Sequence, residues 1–419
     1  MEEDYTVKNN LAQNLFWLGF IVYITSYAAS SSNQFNYVLI NVLQIIGLGL
    51  LIPSAAALIQ FKIENGYLRI IFIIFLFWTM LVIIRGLKFD YDFVKMMLFS
   101  PGRGLFLHLV PLILLFPKQI SFYKKMVNVL LILGVFFLIF SLIFIRDIIN
   151  PTNYYHSQGI VENFSQHLSL SLGFVLLTFV YYSKSRNLFS LFVITMTFLF
   201  AVLRARRGLM FLSFTMLFFS YLVYQYANKT KIINVVISGF FILIVFYTSL
   251  NVYEKNRKDT FSLINERIGD DTRSEVEQYF IRDFEPKDWI IGRGLDGQYF
   301  CPGVFDGERV SVYRGVIETG FLQIILHGGI IHLLLLLLIT IPALLKGLFH
   351  SKNLFSRAAG IWIVLFFLYA YPGDPTIFSM NYILVWISVG ICYSEKIRSM
   401  SDVDIFKIIK NDQNNKARM

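Results

Sequence analysis

Arginine side chains recur in one polar stretch of an otherwise apolar chain, and a glutamate follows them. Arg273, Arg293 and Arg314 lie within residues 253–315, and Glu318 comes directly after this stretch. A guanidinium group can bind two phosphate oxygens at once, and a carboxylate can take a proton from a hydroxyl group. These residue types suit the recognition of pyrophosphate or an acidic sugar.

Two of these arginines also have a structural interpretation. Arg273 is four residues before Glu277, so the two can form a solvated pair on one helical face. Arg314 is four residues before Glu318 and can pair with it in the same way. The sequence leaves the functional and the structural interpretation open for both arginines.

The polar stretch is expected to contain a helix. In the run DDTRSEVEQYFIRDF, Val276, Phe280 and Phe284 recur at four-residue spacing, which is typical of one helical face. Its charges are mixed in sign, unlike a nucleic-acid-binding arm. A long loop with its own helix predicts a substrate lid or the floor of an active site.

A turn-rich run, EPKDWIIGRGLDGQYF, follows that helix. Arg293 either binds substrate here or is an ordinary turn residue. The run lacks the spacing and the following lysine of a nucleotide-binding phosphate loop. We therefore expect Gly292 and Gly294 to serve the backbone geometry.

A second basic cluster, RARRG, contains Arg204, Arg206 and Arg207, and a third begins at Arg85 and Lys88. Both interrupt the charge pattern described below. They are either cations that reach the membrane interface or parts of an anion site.

Other polar side chains give weaker signals. His327 is expected to be a packed, hydrogen-bonded helix residue, and Asp374 a turn residue. Cys301 and Cys392 are the only cysteines, and we expect neither a disulfide between them nor a metal site.

The composition places the chain in a membrane. Hydrophobic residues make up 56% of it and charged residues 15%, and the mean hydropathy is +0.61. A soluble domain carries about 25% charged residues. The net charge of +10 is explained by membrane orientation and not by nucleic acid.

Apolar runs predict about twelve spanning helices in an all-α polytopic fold. They fall near 12–30, 37–60, 68–85, 101–117, 126–146, 165–183, 187–204, 207–227, 232–252, 316–345, 355–372 and 376–394. The predicted organisation is nine helices in 1–252, one large loop in 253–315, three helices in 316–394 and a tail in 395–419.

Basic residues in the short connections predict the orientation. Lysine and arginine recur in alternate connections and in the tail, whereas the connections SSSNQFN and YPGDPT contain neither. Since basic residues favour the cytoplasm, both termini are expected there and the large loop outside.

In the order of its motifs, the chain resembles the superfamily of O-antigen polymerases and O-antigen ligases. Arg207-Gly208 starts a helix before the large loop, and Arg273 precedes Trp289 and the run IIGRGLDG within it. The run ETGFLQIILHGGII then leads into the next membrane helix. The topology matches over most of the chain, although each motif is short.

The resemblance implies a GT-C-like fold and a metal-independent glycosyltransferase without a cofactor. The donor would be a glycan on polyprenyl pyrophosphate, and the acceptor a hydroxyl group of another sugar chain. The catalytic residues implied are Arg273, Glu318 and Arg207. The substrate-binding residues implied are Arg204, Arg293, Arg314 and Trp289.

One departure favours a polymerase. Many ligases of this superfamily have a histidine where this chain has Glu318. An O-antigen ligase that acts on lipid A core, and a flippase of lipid-linked oligosaccharides, are the alternatives. The expected partners are the lipid-linked glycan and membrane lipid, with a chain-length regulator as a further candidate, in the bacterial inner membrane.

Overall fold

The computed structural model describes residues 2–102, 104–149, 154–229, 233, 272–302 and 312–416. Before the large loop, the helices are α1 (Glu2–Ser30), α2 (Tyr37–Leu58), α3 (Gly66–Gly86), α4 (Tyr91–Phe99), α5 (Leu105–Leu109), α6 (Ile120–Ile143), α7 (Ile145–Ile149), α8 (Tyr154–Phe164), α9 (Gly173–Leu177), α10 (Lys184–Leu203) and α11 (Arg207–Ala227). From the loop onward, they are α12 (Thr272–Asp283), α13 (Pro286–Ile291), α14 (Gly320–Phe349), α15 (Leu354–Tyr369), α16 (Met380–Tyr393), α17 (Glu395–Ser399) and α18 (Asp402–Lys416).

Six helices of the described residues are long and apolar enough to cross a membrane. They are Tyr37–Leu58, Gly66–Gly86, Phe122–Ile143, Lys184–Leu203, Arg207–Ala227 and Gly320–Phe349. Only helices and closed barrels satisfy every backbone group in lipid, so long apolar runs of this kind fold as helices. These helices confirm the predicted class, an all-α polytopic membrane protein, but not the predicted number of spans.

Other predicted spans take less regular forms. The one expected at 101–117 contains a shorter apolar helical stretch, Leu105–Leu115, and the one expected at 165–183 begins with a π-helical turn, Ser165–Ser169. The predicted spans nearest the C-terminus correspond to the shorter helices α15 and α16. The span expected at 232–252 lies outside the described residues. Twelve spans and a GT-C-like arrangement remain predictions.

The chain divides into two compact units. The first contains Met1–Tyr27, Val38–Met126 and Asp271–Met419, and the second contains Ala28–Tyr37 and Val127–Asp270. In the first unit, α14 packs against α3, α13, α15 and α16. In the second unit, α10 packs against α9 and α11.

The described part of the large loop has its own secondary structure. The helix expected around Val276 and Phe280 is confirmed as α12. The turn-rich run after it begins instead with the short helix α13, because Glu285 and Asp288 form a capping box at its start. Two short antiparallel strands follow, β1 (Tyr299–Phe300) and β2 (Tyr313–Arg314).

Candidate functional site

A salt bridge joins α12 to the segment that leads into α14. Nε of Arg273 donates to Glu318 at 2.7 Å, and Nη2 donates to the carbonyl oxygen of Pro372 at 2.7 Å. The Arg273 side chain is 39% exposed and that of Glu318 53%. The structure thus brings together two of the three residues predicted to be catalytic, at an accessible position.

Hydrophobic packing places α12 over the start of α14. The apolar face of α12 belongs to one buried cluster with residues of β1, of the segment after β2 and of α14. The buried members are Val276, Phe280, Phe284, Tyr299, Cys301, Ile317, Ile325 and Leu326. Because Arg273 lies one turn from Val276, the buried face determines where its guanidinium group stands.

Backbone contacts place Glu318 and the Pro372 carbonyl group. Glu318 lies before the helix, since α14 begins at Gly320. The N–H of Gly320 donates to the carbonyl oxygens of Ala370 at 2.8 Å and Gly373 at 3.1 Å. The connection between α15 and α16 therefore covers the start of α14 and presents Pro372 to the arginine.

The helical pair that the four-residue spacing allows between Arg273 and Glu277 does not form. Arg273 pairs with Glu318 instead, and the carboxylate of Glu277 accepts a hydrogen bond from the hydroxyl group of Thr319. Both contacts connect α12 to the start of α14, so tertiary partners replace the local one. The sequence offers no local signal for the Glu277–Thr319 contact, because the two residues are 42 positions apart.

The predicted helical pair of Arg314 with Glu318 is also wrong. Arg314 lies on β2, in register with Tyr299, so the four-residue helical spacing does not apply. Its side chain interacts with the buried thiol group of Cys301. Burial raises the pKa of this thiol, and the neighbouring Arg314 lowers it in part.

Arg293 is fully engaged within the loop. Its guanidinium group donates to Asp288 at 2.7 and 2.9 Å, to the carboxylate and the carbonyl oxygen of Asp283 at 2.5 and 2.6 Å, and to the carbonyl oxygen of Gln298 at 2.7 Å. These bonds use all five N–H groups of an arginine. Arg293 thus holds the loop together and has no N–H group left for a substrate.

Trp289 packs into the loop core. Its ring meets those of Phe280 and Phe284 edge to face, with centroids 5.7 and 5.5 Å apart. This geometry suits the ring quadrupoles and buries much of the indole. Trp289 therefore packs against the buried aromatic side chains of the α12 region. The substrate contact proposed for it stays a prediction.

The turn that contains Gly292 and Gly294 packs closely against a break in α14. Gly292 (φ 71°) and Gly294 (φ 81°) have left-handed backbones, which confirms the geometric role expected for them. Gly329 (φ 70°) interrupts α14, and a Cβ there would lie 2.1 Å from the carbonyl oxygen of Ile290. The backbones touch at this crossing, so no larger residue fits at Gly329.

The basic residues at the end of α3 also bind this turn. Arg85 donates to the carbonyl oxygens of Ile291 at 2.6 Å and Gly292 at 3.2 Å, which are end groups of α13. Lys88 pairs with Asp296, and this hydrogen bond raises the pKa of Lys88. These cations hold the described part of the loop against the membrane helices.

The RARRG arginines lie in the second unit. Arg204 is buried, and it donates to the carbonyl oxygens of Ile148 at 2.6 Å and Ile149 at 2.7 Å. Arg206 pairs with Glu162. Arg207 is exposed at the first residue of α11. Arg204 therefore caps the end of α7, and Arg207 is the accessible arginine of this cluster.

Asp374 lies in the connection that presents Pro372. Its carboxylate accepts hydrogen bonds from the N–H of Thr376 at 2.8 Å and from its hydroxyl group at 2.5 Å, which confirms the expected turn. Burial raises the pKa of Asp374 to about 6, against the opposing effect of those hydrogen bonds. A carboxyl group that titrates near neutral pH therefore lies two residues from the carbonyl group that binds Arg273.

The described residues contain no group of three or more His, Cys, Asp or Glu placed to hold a metal ion. The two cysteines are free thiols and both are buried. Comparison with family models, curated proteins and solved structures gives no match for this chain. The chemistry open to the site is that of a partly exposed guanidinium group beside an exposed carboxylate.

Proposed function

We propose that this protein polymerises polyprenyl-pyrophosphate-linked oligosaccharide repeat units into O-antigen, capsule or exopolysaccharide. The observation that carries the proposal is the state of Arg273. Two of its five N–H groups bond to described residues, and Nη1 has no acceptor among them. A partly exposed guanidinium group with unused N–H groups can bind phosphate oxygens while Glu318 lies beside it.

The proposed reaction is a single glycosyl transfer. The oxygen of an acceptor hydroxyl group bonds to the anomeric carbon of the donor glycan, and the bond from that carbon to the pyrophosphate oxygen breaks. Glu318 takes the proton of the hydroxyl group. Arg273 binds the departing polyprenyl pyrophosphate and stabilises its developing charge.

Arg207 is proposed as a second cation for the pyrophosphate group. It is exposed at the start of α11, in the arginine-glycine pair that carries part of the family resemblance. It belongs to the second unit, whereas Arg273 and Glu318 belong to the first. Its participation in one site with them therefore rests on the resemblance alone.

Purified protein in liposomes tests the reaction class. Given only polyprenyl-pyrophosphate-linked repeat units, it is expected to form a ladder of longer glycans and to release polyprenyl pyrophosphate. Chain growth without lipid A core would support polymerisation. Transfer only to added lipid A core would identify a ligase. Movement of intact donor across the bilayer, with no bond change, would identify a transporter.

The proposed site requires the loop to face away from the cytoplasm and both termini to lie in the cytoplasm. Cys301 is only 1% exposed, so it is a poor reporter of sidedness. In a protein with Cys301→Ser and Cys392→Ser, Gln278→Cys on the exposed face of α12 is expected to react with an impermeant maleimide in intact spheroplasts.

The matched control is Lys352→Cys, in the exposed connection between α14 and α15. It is expected to react only after the membrane is broken, because basic connections stay in the cytoplasm. Labelling in the reverse order would overturn the orientation and the placement of the site.

A further inference from the structure

A largely buried chain of hydrogen bonds runs from Ile317, the residue before Glu318, to Gly294 in the turn after α13. The backbone N–H of Ile317 donates to Oε1 of Gln323 at 2.8 Å, and Nε2 of Gln323 lies 2.8 Å from Nε2 of His327. Nδ1 of His327 lies 3.0 Å from the carbonyl oxygen of Gly294. Ile317 and Gln323 are both almost fully buried.

The hydrogen-bond partners determine which atom of each pair carries the proton. The N–H of Ile317 can only donate, so the amide oxygen of Gln323 must face it and the amide NH₂ must face His327. Nε2 of His327 must then accept, and Nδ1 must carry the proton that the Gly294 carbonyl group receives. The chain therefore requires a neutral imidazole with its proton on Nδ1.

His327 is attached to the turn at two points. Besides its ring, its own carbonyl oxygen accepts from the N–H of Gly294 at 2.9 Å, beside the break at Gly329. The turn is held in place by Arg85. The position of His327 is thus determined by its two contacts with Gly294. Gln323 links its ring to the backbone N–H of Ile317, the residue before Glu318.

We propose that His327, as the neutral Nδ1–H imidazole, is a positioning residue for Glu318, acting through Gln323 and the backbone N–H of Ile317. The proposal rests on the glycosyl transfer proposed above. If the link is absent, Ile317 loses the partner of its buried N–H, and Glu318, the next residue, loses its fixed place beside Arg273.

The link also predicts a pH dependence. Protonation of His327 would put an N–H on Nε2, facing the NH₂ of Gln323, so two donors would meet and the chain would break. The charged or titratable groups around His327 include His108 on α5, with ring centroids 6.3 Å apart, His332 on α14, Arg85 on α3 and Arg293 in the turn.

The kinetic test compares His327→Ala with His332→Ala in the liposome assay. His332 lies further along α14 against Phe75 and is outside the chain of bonds. His327→Ala is expected to lower kcat about tenfold or more with little change in KM. It should also remove the loss of activity that protonation of His327 causes, whereas His332→Ala leaves the chain of hydrogen bonds intact and should keep that loss.

Coupling to Glu318 gives a sharper result. If His327 acts through Glu318, His327→Ala should cost little further activity in a protein that already carries Glu318→Gln. Gln323→Leu should reproduce His327→Ala, and the two together should be no worse than either alone. Fully multiplicative losses, or equal effects of His327→Ala and His332→Ala, would overturn the proposal.

Labelling of a buried thiol group tests the link between His327 and Ile317 without any measurement of glycosyl transfer. Cys301 packs in the same cluster as Ile317, so loosening of Ile317 should expose its thiol group. With Cys392→Ser, His327→Ala is expected to speed maleimide labelling of Cys301 about fivefold or more in detergent, and His332→Ala to leave it unchanged. If the wild type makes no polymer, the reaction proposal fails while this labelling still tests the link; unchanged labelling in both variants would refute it.

Discussion

Arg273→Ala is expected to lower the rate of chain extension by about 10²–10³-fold, as loss of one donor that stabilises developing charge does elsewhere. The guanidinium group is partly exposed and keeps N–H groups that no described residue uses. Truncation removes the proposed contact to the departing pyrophosphate and leaves Glu318 without its cation. The rate is measured as glycan length against time in liposomes with lipid-linked repeat units.

Two variants make this result specific. Arg273→Lys should recover little activity, since an ammonium group cannot form the paired contacts of a guanidinium group. Arg282→Ala removes an exposed arginine from the last turn of the same helix and should leave the rate unchanged. Wild-type chain lengths in Arg273→Ala would remove the proposed pyrophosphate contact, and Arg207 would then have to be tested in the same way.

Glu318→Gln is expected to slow chain extension by about 10²–10⁴-fold, the range that general acid–base catalysis contributes. The amide keeps the shape of the side chain but cannot take the proton of the acceptor hydroxyl group. Binding of the lipid-linked donor should persist, because the proposed pyrophosphate contact is made by Arg273. Turnover and donor binding are therefore measured separately.

Glu275→Gln is the matched control, since Glu275 is an exposed carboxylate on α12 that is not part of the site. Glu318→His is expected to keep more activity than Glu318→Gln, because a neutral imidazole can also accept a proton. If Glu318→Gln extends chains at the wild-type rate, Glu318 is not the base. Glu277, which contacts Thr319, and Asp374, which lies in the connection that presents Pro372, would then be the carboxyl groups to test.

The comparison of Arg273 with Arg293 shows why a site cannot be taken from residue types alone. Both are arginines of one polar loop, and the sequence gives either of them a phosphate to bind. Arg293 donates all its N–H groups to Asp283, Asp288 and Gln298. Arg273 donates only two of its five N–H groups to described residues. The difference depends on partners up to 99 residues away, such as Pro372.

The helix α12 in the large loop shows which features a local sequence pattern predicts and which depend on tertiary contacts. The four-residue spacing of Val276, Phe280 and Phe284 predicted α12 correctly, because one apolar face of a helix must be buried. The spacing of Arg273 with Glu277 allowed a salt bridge that does not form. A surface pair contributes little free energy, so tertiary partners readily replace it.

The amino-acid sequence by itself determined that this protein is an α-helical membrane protein with a helix in its large loop. Those properties follow from long apolar runs and from residues a few positions apart, where the chemistry is local. Only the tertiary structure decided that Arg273 meets Glu318 and Pro372, that Gly329 breaks α14, and that His327 is linked to Ile317. The salt bridge depends on groups from separate elements, and the break at Gly329 is stabilised by backbone contact with the turn beside α13. The link from His327 to Ile317 runs through residues four and six positions apart, but the orientation of its ring depends on the carbonyl oxygen of Gly294, 33 residues away.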